Sequence, residues 1–281
     1  MAVDKIKFQK KKPSTLIRVL LFYLCSLLVL MFTSRLTKSL TSEIADLLSI
    51  ILASVLTFLL VYLFTRWEKL RLTDVGVVPG KATRQRFIAG YVIGLFMAVM
   101  QALMVFSFGH LQFVIVPNIT AQQIVLSLIL YFFVACREEL VFRSYSLRSL
   151  DYSFSSSIAL FVIVVVFIIE HIIAGMSWKM AIIGSGLGGI LFGLSALKTS
   201  GLALPLGLHS AWNSGQWVMG FKNKPGIWNA VVEKGYEKET ENISLGAFVL
   251  VMLMAITAMV LFYKRRRTKE NKADANMMLI K

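Results

Sequence analysis

Arg137, Glu138, Glu139, Arg143, Glu170, His171, His209 and Asn213 are side chains able to do chemistry, and each stands in or beside a strongly apolar run. An ionisable group at the centre of a membrane helix costs ~2.5–3.5 kcal/mol even on a lenient insertion scale, so by default it marks a function. Residues four apart share a helix face. By that spacing Glu139 can pair with Arg143, Phe167 lies one turn from His171, and His209 lies one turn from Asn213. Glu138 is rotated about 100° from Glu139, so one carboxylate can take the arginine while the other faces elsewhere.

A sheltered carboxylate can take a proton from a water molecule, which then attacks a carbonyl. His209 and Asn213 can donate to the oxyanion of the tetrahedral intermediate, where one donor is typically worth ~2.7–4 kcal/mol. His171 can hold the water or carry a proton to the leaving amine. A second chemistry stands beside this one. Glu138, His171 and His209 form a His₂Glu set, a ligand combination of catalytic zinc sites, in which Zn²⁺ or another divalent metal would lower the pKa of a bound water. The residues alone leave both open, and they give Glu170 no role beyond a polar crevice or packing.

These groups need helices to hold them. Hydrophobic residues make up 57% of the chain and the mean hydropathy is +0.72, above the ~45–50% apolar content of soluble domains. With about 20 apolar residues per crossing, spans are expected near Leu16–Thr33, Ala45–Thr65, Phe87–Phe108 and Ala121–Cys136. Four more are expected near Ser155–Ala174, Lys179–Leu197, Gly201–Gly220 and Leu245–Tyr263. The fold class is therefore all-α, a polytopic bundle of about eight spanning helices. It forms one integral membrane domain over 1–281, with a catalytic core around 121–220 and a basic cytoplasmic tail at 264–281. The first span follows Lys5, Lys7, Lys10, Lys11 and Lys12 but is long and lacks a small-residue cleavage site, which suits a retained anchor rather than a signal peptide.

The net charge of +15 collects in alternate loops, the positive-inside pattern. One side holds the amino-terminal lysines, then Arg66, Lys69, Arg71, Lys81, Arg84 and Arg86, then the tail with Lys264, Arg265, Arg266, Arg267, Lys269 and Lys272. The opposite side holds His110 in the loop Gly109–Thr120, and a balanced loop Phe221–Ser244 with Lys222, Lys224, Lys234 and Lys238 against Glu233, Glu237, Glu239 and Glu241. Both termini are thus expected in the cytoplasm. The basic clusters fit anionic lipid headgroups, and no nucleic-acid groove is implied.

Three further patterns carry no chemistry. Gly184-Ser185-Gly186-Leu187-Gly188-Gly189 matches GxGxxG, but that fingerprint needs a preceding strand. Gly184, Gly188, Gly189 and Gly193 have instead the small-residue spacing that lets helices approach closely, which makes the sixth span central and tightly packed. Asn118-Ile119-Thr120 and Asn242-Ile243-Ser244 are chance-level glycosylation patterns, and Cys25 and Cys136 form no CxxC pair.

Glu138-Glu139-Leu140-Val141-Phe142-Arg143 fits EExxxR, Phe167-Ile168-Ile169-Glu170-His171 fits FxxxH, and His209-Ser210-Ala211-Trp212-Asn213 fits HxxxN. In that order on successive polar helices, the set resembles the CPBP family (CAAX protease and bacteriocin-processing, or Abi) of intramembrane endopeptidases, over roughly Val125–Val218. The resemblance implies Glu138 as the water-activating base, Glu139 and Arg143 as a supporting pair, His171 and His209 as catalytic or water-positioning groups, and Asn213 as the oxyanion donor. It implies a site open toward the cytoplasm or inner leaflet, with Zn²⁺, another divalent metal, or no metal. The substrate would be a membrane-associated peptide or protein. Short loops and the basic tail suit a bacterial plasma membrane, where relatives act in bacteriocin immunity or peptide-signal maturation rather than on prenylated proteins, the CAAX cleavage of eukaryotic relatives being the weaker expectation. A membrane adaptor for a sensor or immunity partner, and a proton-coupled carrier, are the competing readings.

Overall fold

The computed structural model describes residues 12–222 and 226–279, with the backbone alone at 12, 42, 43 and 266–279. Of the charges used for orientation, Lys5, Lys7, Lys10, Lys11 and Lys224 lie outside the described residues, as do the side chains of Lys12, Arg266, Arg267, Lys269 and Lys272.

The chain is an all-α bundle. Helix α1 spans Lys12–Thr37, α2 Ser42–Trp67 and α3 Thr83–Phe108, followed by strand β1, Leu111–Ile115. Helix α4, Ala121–Val141, runs through a wide π turn at Phe142–Ser146 into the short α5, Leu147–Ser153. Then come α6 (Ser156–Ile173), the single turn α7 (Trp178–Met180), a second π turn (Ala181–Ser185) and α8 (Gly186–Thr199). Helix α9 covers Ala203–Val218, strand β2 Trp228–Val232 and α10 Glu237–Leu279.

Each expected span coincides with a helix or, for Lys179–Leu197, with α7, the second π turn and α8; α1 and α2 extend a few residues further at each end, whereas α6 and α9 stop a residue or two short at each end. Among the described residues six helical segments are long and apolar enough to cross a membrane, which makes this a multi-pass membrane protein. The two expected spans that fall short of that standard are α4 and α9. Their shortfall has a chemical cause: α4 carries Arg137, Glu138 and Glu139, and α9, only 16 residues long, carries His209, Asn213 and Gln216. Burial in protein replaces burial in lipid for α9, whose residues from Leu204 to Trp217 are almost all covered by neighbours. Irregular or polar segments are tolerated at membrane depth on that condition.

Two loops expected without secondary structure pair with each other. Strands β1 and β2 run antiparallel, with Leu111 opposite Val232, Phe113 opposite Ala230 and Ile115 opposite Trp228. The ribbon ties the α3–α4 connection to the α9–α10 connection on one side of the bundle.

The close backbone approach lies elsewhere than expected. A methyl on Gly184 or Gly188 would meet only ordinary contacts, while Gly189 and Gly193 sit under the side chains of Val164 and Leu160. Backbones meet between α3 and α9: a Cβ on Gly90 would lie 2.4 Å from the Leu204 carbonyl oxygen, and one on Gly207 2.2 Å from that of Phe87. Helix α9 is therefore the tightly packed central element, held by the Gly90-xxx-Gly94 face of α3. Gly90→Ala is expected to destabilise the protein by about 1–3 kcal/mol through overpacking, seen as a lower melting midpoint in detergent. Gly184→Ala, which meets nothing closer than 3.8 Å, should leave that midpoint unchanged.

Candidate active site

Helix α4 opens with a capping box, in which the Thr120 hydroxyl accepts from the Gln123 backbone N–H and the Gln123 side chain accepts from that of Thr120. It continues past the expected end near Cys136, so Glu138 and Glu139 belong to its last turn. At Ser144 (φ −88°, ψ −110°) the helical path breaks. Arg143 stands just before this kink, in the kind of wide turn that recurs at functional sites.

The charges sort into pairs. Arg137 on α4 pairs with Glu170 on α6, both largely buried. Arg143 Nη1 lies 3.5 Å from Glu139 Oε1, the two side chains being 0% and 1% exposed. The Arg143 guanidinium also sits 4.4 Å above the Phe167 ring, with Phe142 and Phe192 about it, a cation–π setting suited to a desolvated arginine. Glu170, which the sequence left without a role, is thus the counter-ion of Arg137. It fastens α6 to α4 beside His171 and Glu138.

Glu138 is the remaining carboxylate. Among the described residues no arginine or lysine stands within ion-pair distance of it, and its near neighbour is His209, with Nε2 3.6 Å from Glu138 Oε2. A single water can bridge a polar gap of that length. The other ring nitrogen, His209 Nδ1, lies 2.8 Å from Glu139 Oε1. A carboxylate there receives the Nδ1 proton, so in the neutral ring Nε2 is the open nitrogen. Phe192 stacks on the imidazole at 4.4 Å and 14°. Glu139 therefore serves both Arg143 and His209, a double use that spacing along one helix could not reveal.

His171 is oriented in the same manner by its own helix. Its Nδ1 lies 2.9 Å from the Phe167 carbonyl oxygen, and the Phe167 ring meets the imidazole edge-on at 4.4 Å. The N–H is spent on the backbone and Nε2 is the open nitrogen. Electrostatically, Glu138 feels His209 and His171 as well as Arg137 and Arg143. Asn213, one turn beyond His209, is buried, and its Oδ1 accepts from the ammonium of Lys222 at 3.0 Å. Lys222 was expected only as one charge of a balanced loop. It lies instead over the ring of Tyr131 on α4, Nζ 5.7 Å from the centroid.

All six expected site residues thus lie on α4, its π turn, α6 and α9. Glu139, Arg143 and His209 are in direct contact, and Glu138 is opposite His209. Residues 120–215 match the family model described as type II CAAX prenyl endopeptidase Rce1-like. Over that segment the chain is similar to the Rce1-like family. This Rce1-like segment begins at the cap of α4 and ends within α9, so it contains EExxxR, FxxxH and HxxxN and stops short of Lys222. No curated protein matches the chain.

As for a metal, Glu138, His171 and His209 would be its ligands: each imidazole has Nδ1 held by a carboxylate or a backbone carbonyl and Nε2 open, as in a metal-binding histidine. Among the described residues no three His, Cys, Asp or Glu side chains are grouped so as to hold an ion.

Proposed function

We propose that the protein is an intramembrane endopeptidase in which Glu138 is the general base. Glu138 takes a proton from a water molecule, the water oxygen bonds to the scissile carbonyl carbon, and Asn213 donates a hydrogen bond to the resulting oxyanion. The C–N bond then breaks, and the proton passes to the leaving amine with His171 and His209 about it. The observation that carries this reading is the division of labour among carboxylates. Glu139 and Glu170 each face an arginine, whereas Glu138 faces an imidazole whose other nitrogen is already held. A base must not be locked in an ion pair, and Glu138 is the glutamate in this cluster that is not.

The substrate is a membrane-associated peptide or protein tail reaching the site from lipid or from the cytoplasm. The charge pattern supports a plasma-membrane protein with both termini cytoplasmic, and short loops with a basic tail support a bacterial setting. Bacteriocin immunity and maturation of a peptide signal are the roles that fit such a site. The test compares wild type with Glu138→Gln at matched membrane abundance, using mass spectrometry of peptide termini in membranes and medium. Termini present only with the wild type identify substrate and bond. Equal rescue of a deletion phenotype by both forms, with no terminus changed, would make the protein an adaptor. Acid-driven solute uptake in proteoliposomes without peptide products would make it a carrier.

Because the reading uses no metal, cleavage is expected to continue at an unchanged rate after dialysis against a strong divalent-metal chelator. Loss of cleavage that returns with added Zn²⁺ would assign Glu138, His171 and His209 to a metal instead.

A further inference from the structure

Helix α9 ends in a Schellman motif: the Gly220 N–H bonds to the Trp217 carbonyl and the Phe221 N–H to that of Gln216. Gly220 takes the left-handed conformation this needs, φ +72°, and a Cβ there would strike the Trp228 carbonyl at 2.6 Å. The reversal turns the chain back along α9, and its second residue past the glycine is Lys222. The Lys222 side chain follows the helix downward until its ammonium meets Asn213 Oδ1 at 3.0 Å and the Tyr131 face at 5.7 Å. Glu138 is the negative charge that acts on it.

An ammonium has three donors and no acceptor. It can therefore face only the oxygen of an amide, which settles which way the Asn213 amide is turned and leaves the NH₂ end for another partner. An amide without such a neighbour can rotate by half a turn and point its oxygen at a developing oxyanion, where it repels. We propose that Lys222 is the positioning residue that fixes the Asn213 amide with its NH₂ group as the oxyanion donor. This rests on the peptidase reading above. It extends that site beyond the matched segment, to a residue supplied by the loop on the opposite side of the bundle from the α8–α9 turn.

The test ranks substitutions by their donors rather than by their size. The rate at which Glu138-dependent termini appear is measured at matched abundance for Lys222→Met, Lys222→Gln and Lys222→Arg. Lys222→Met is expected to be slower than wild type by about 100-fold, the usual effect of losing one oxyanion donor. Arginine, like lysine, only donates, so Lys222→Arg should stay within about tenfold of wild type. Glutamine both donates and accepts and so no longer dictates the amide. Lys222→Gln should be at least about tenfold slower than Lys222→Arg, a comparison that remains if the methionine variant fails to accumulate.

In an Asn213→Ala background, Lys222→Met should change the rate by less than about twofold, because the amide it positions is gone. Equal rates for wild type and Lys222→Met, an arginine variant as slow as the methionine one, or a full further loss in the Asn213→Ala background each overturn the proposal. Termini that persist unchanged in Glu138→Gln would overturn the peptidase reading itself, a separate result.

Discussion

Glu138→Gln is expected to slow the appearance of product termini by about 10²–10⁴-fold, the range spanned by a single positioned general base. Glutamine keeps the shape of the side chain and its contact with His209 but cannot accept the proton. No neighbouring carboxylate can take over. Glu139 is bound to Arg143 and His209, and Glu170 to Arg137, so both are held by a cation in the ground state. Glu138→Asp keeps the charge but withdraws it by more than an ångström. Since a displacement of that size can cost about 100-fold, the aspartate variant should be slow as well, though faster than the glutamine one. Targeted mass spectrometry of the same termini, normalised to membrane abundance, reads all three proteins. A glutamine variant at the wild-type rate would remove Glu138 from the chemistry, whatever the other variants did.

Much of this site was legible along single helices. Glu139 with Arg143, Phe167 with His171 and the placing of His209 one turn from Asn213 all follow from the 3.6-residue repeat, and each appears as expected. What was not legible depends on which helix lies beside which. The Arg137–Glu170 pair joins residues 33 apart and the Glu139–His209 bond residues 70 apart. Nothing in local spacing encodes either.

Lys222 was hidden for a different reason. As a lysine in a loop of balanced charge it looks like an orientation signal, and only the reversal at Gly220 aims it inward. Glycine two residues beyond the end of an apolar helix is itself a C-cap signal, so the turn could have been anticipated, though not what the returning side chain meets. The glycine reading held in part: the α7–α8 segment is the most buried of the six apolar spans, and Gly189 and Gly193 lie tightly under side chains of α6. The run at Gly184–Gly193 is denser, yet the Gly90-xxx-Gly94 pair on α3 is where backbones touch, because α3 faces the one helix that must be buried on all sides.

That burial sets the second large effect. Glu139 and Arg143 are almost wholly enclosed, and a buried pair broken on one side leaves an uncompensated charge worth about 3–5 kcal/mol of stability. Glu139→Leu should therefore lower stability sharply, with Arg143 left among Phe142, Phe167 and Phe192 and no carboxylate beside it. Arg143→Met should be milder, since Glu139 keeps His209 as a hydrogen-bond partner. Removing both at once, Glu139→Leu with Arg143→Met, should recover most of the lost stability, because apolar residues of similar volume commonly replace a buried ion pair without penalty. Activity should not recover. Without Glu139 nothing holds His209 Nδ1, the ring can adopt either tautomer, and the nitrogen facing Glu138 is no longer fixed. Thermal melting in detergent and the rate of terminus formation would thus separate in the double variant, one near wild type and the other low. If both recovered together, Glu139 would be no more than a counter-ion for Arg143. If neither recovered, the pair would hold the π turn at Phe142–Ser146 in a way that leucine and methionine cannot reproduce.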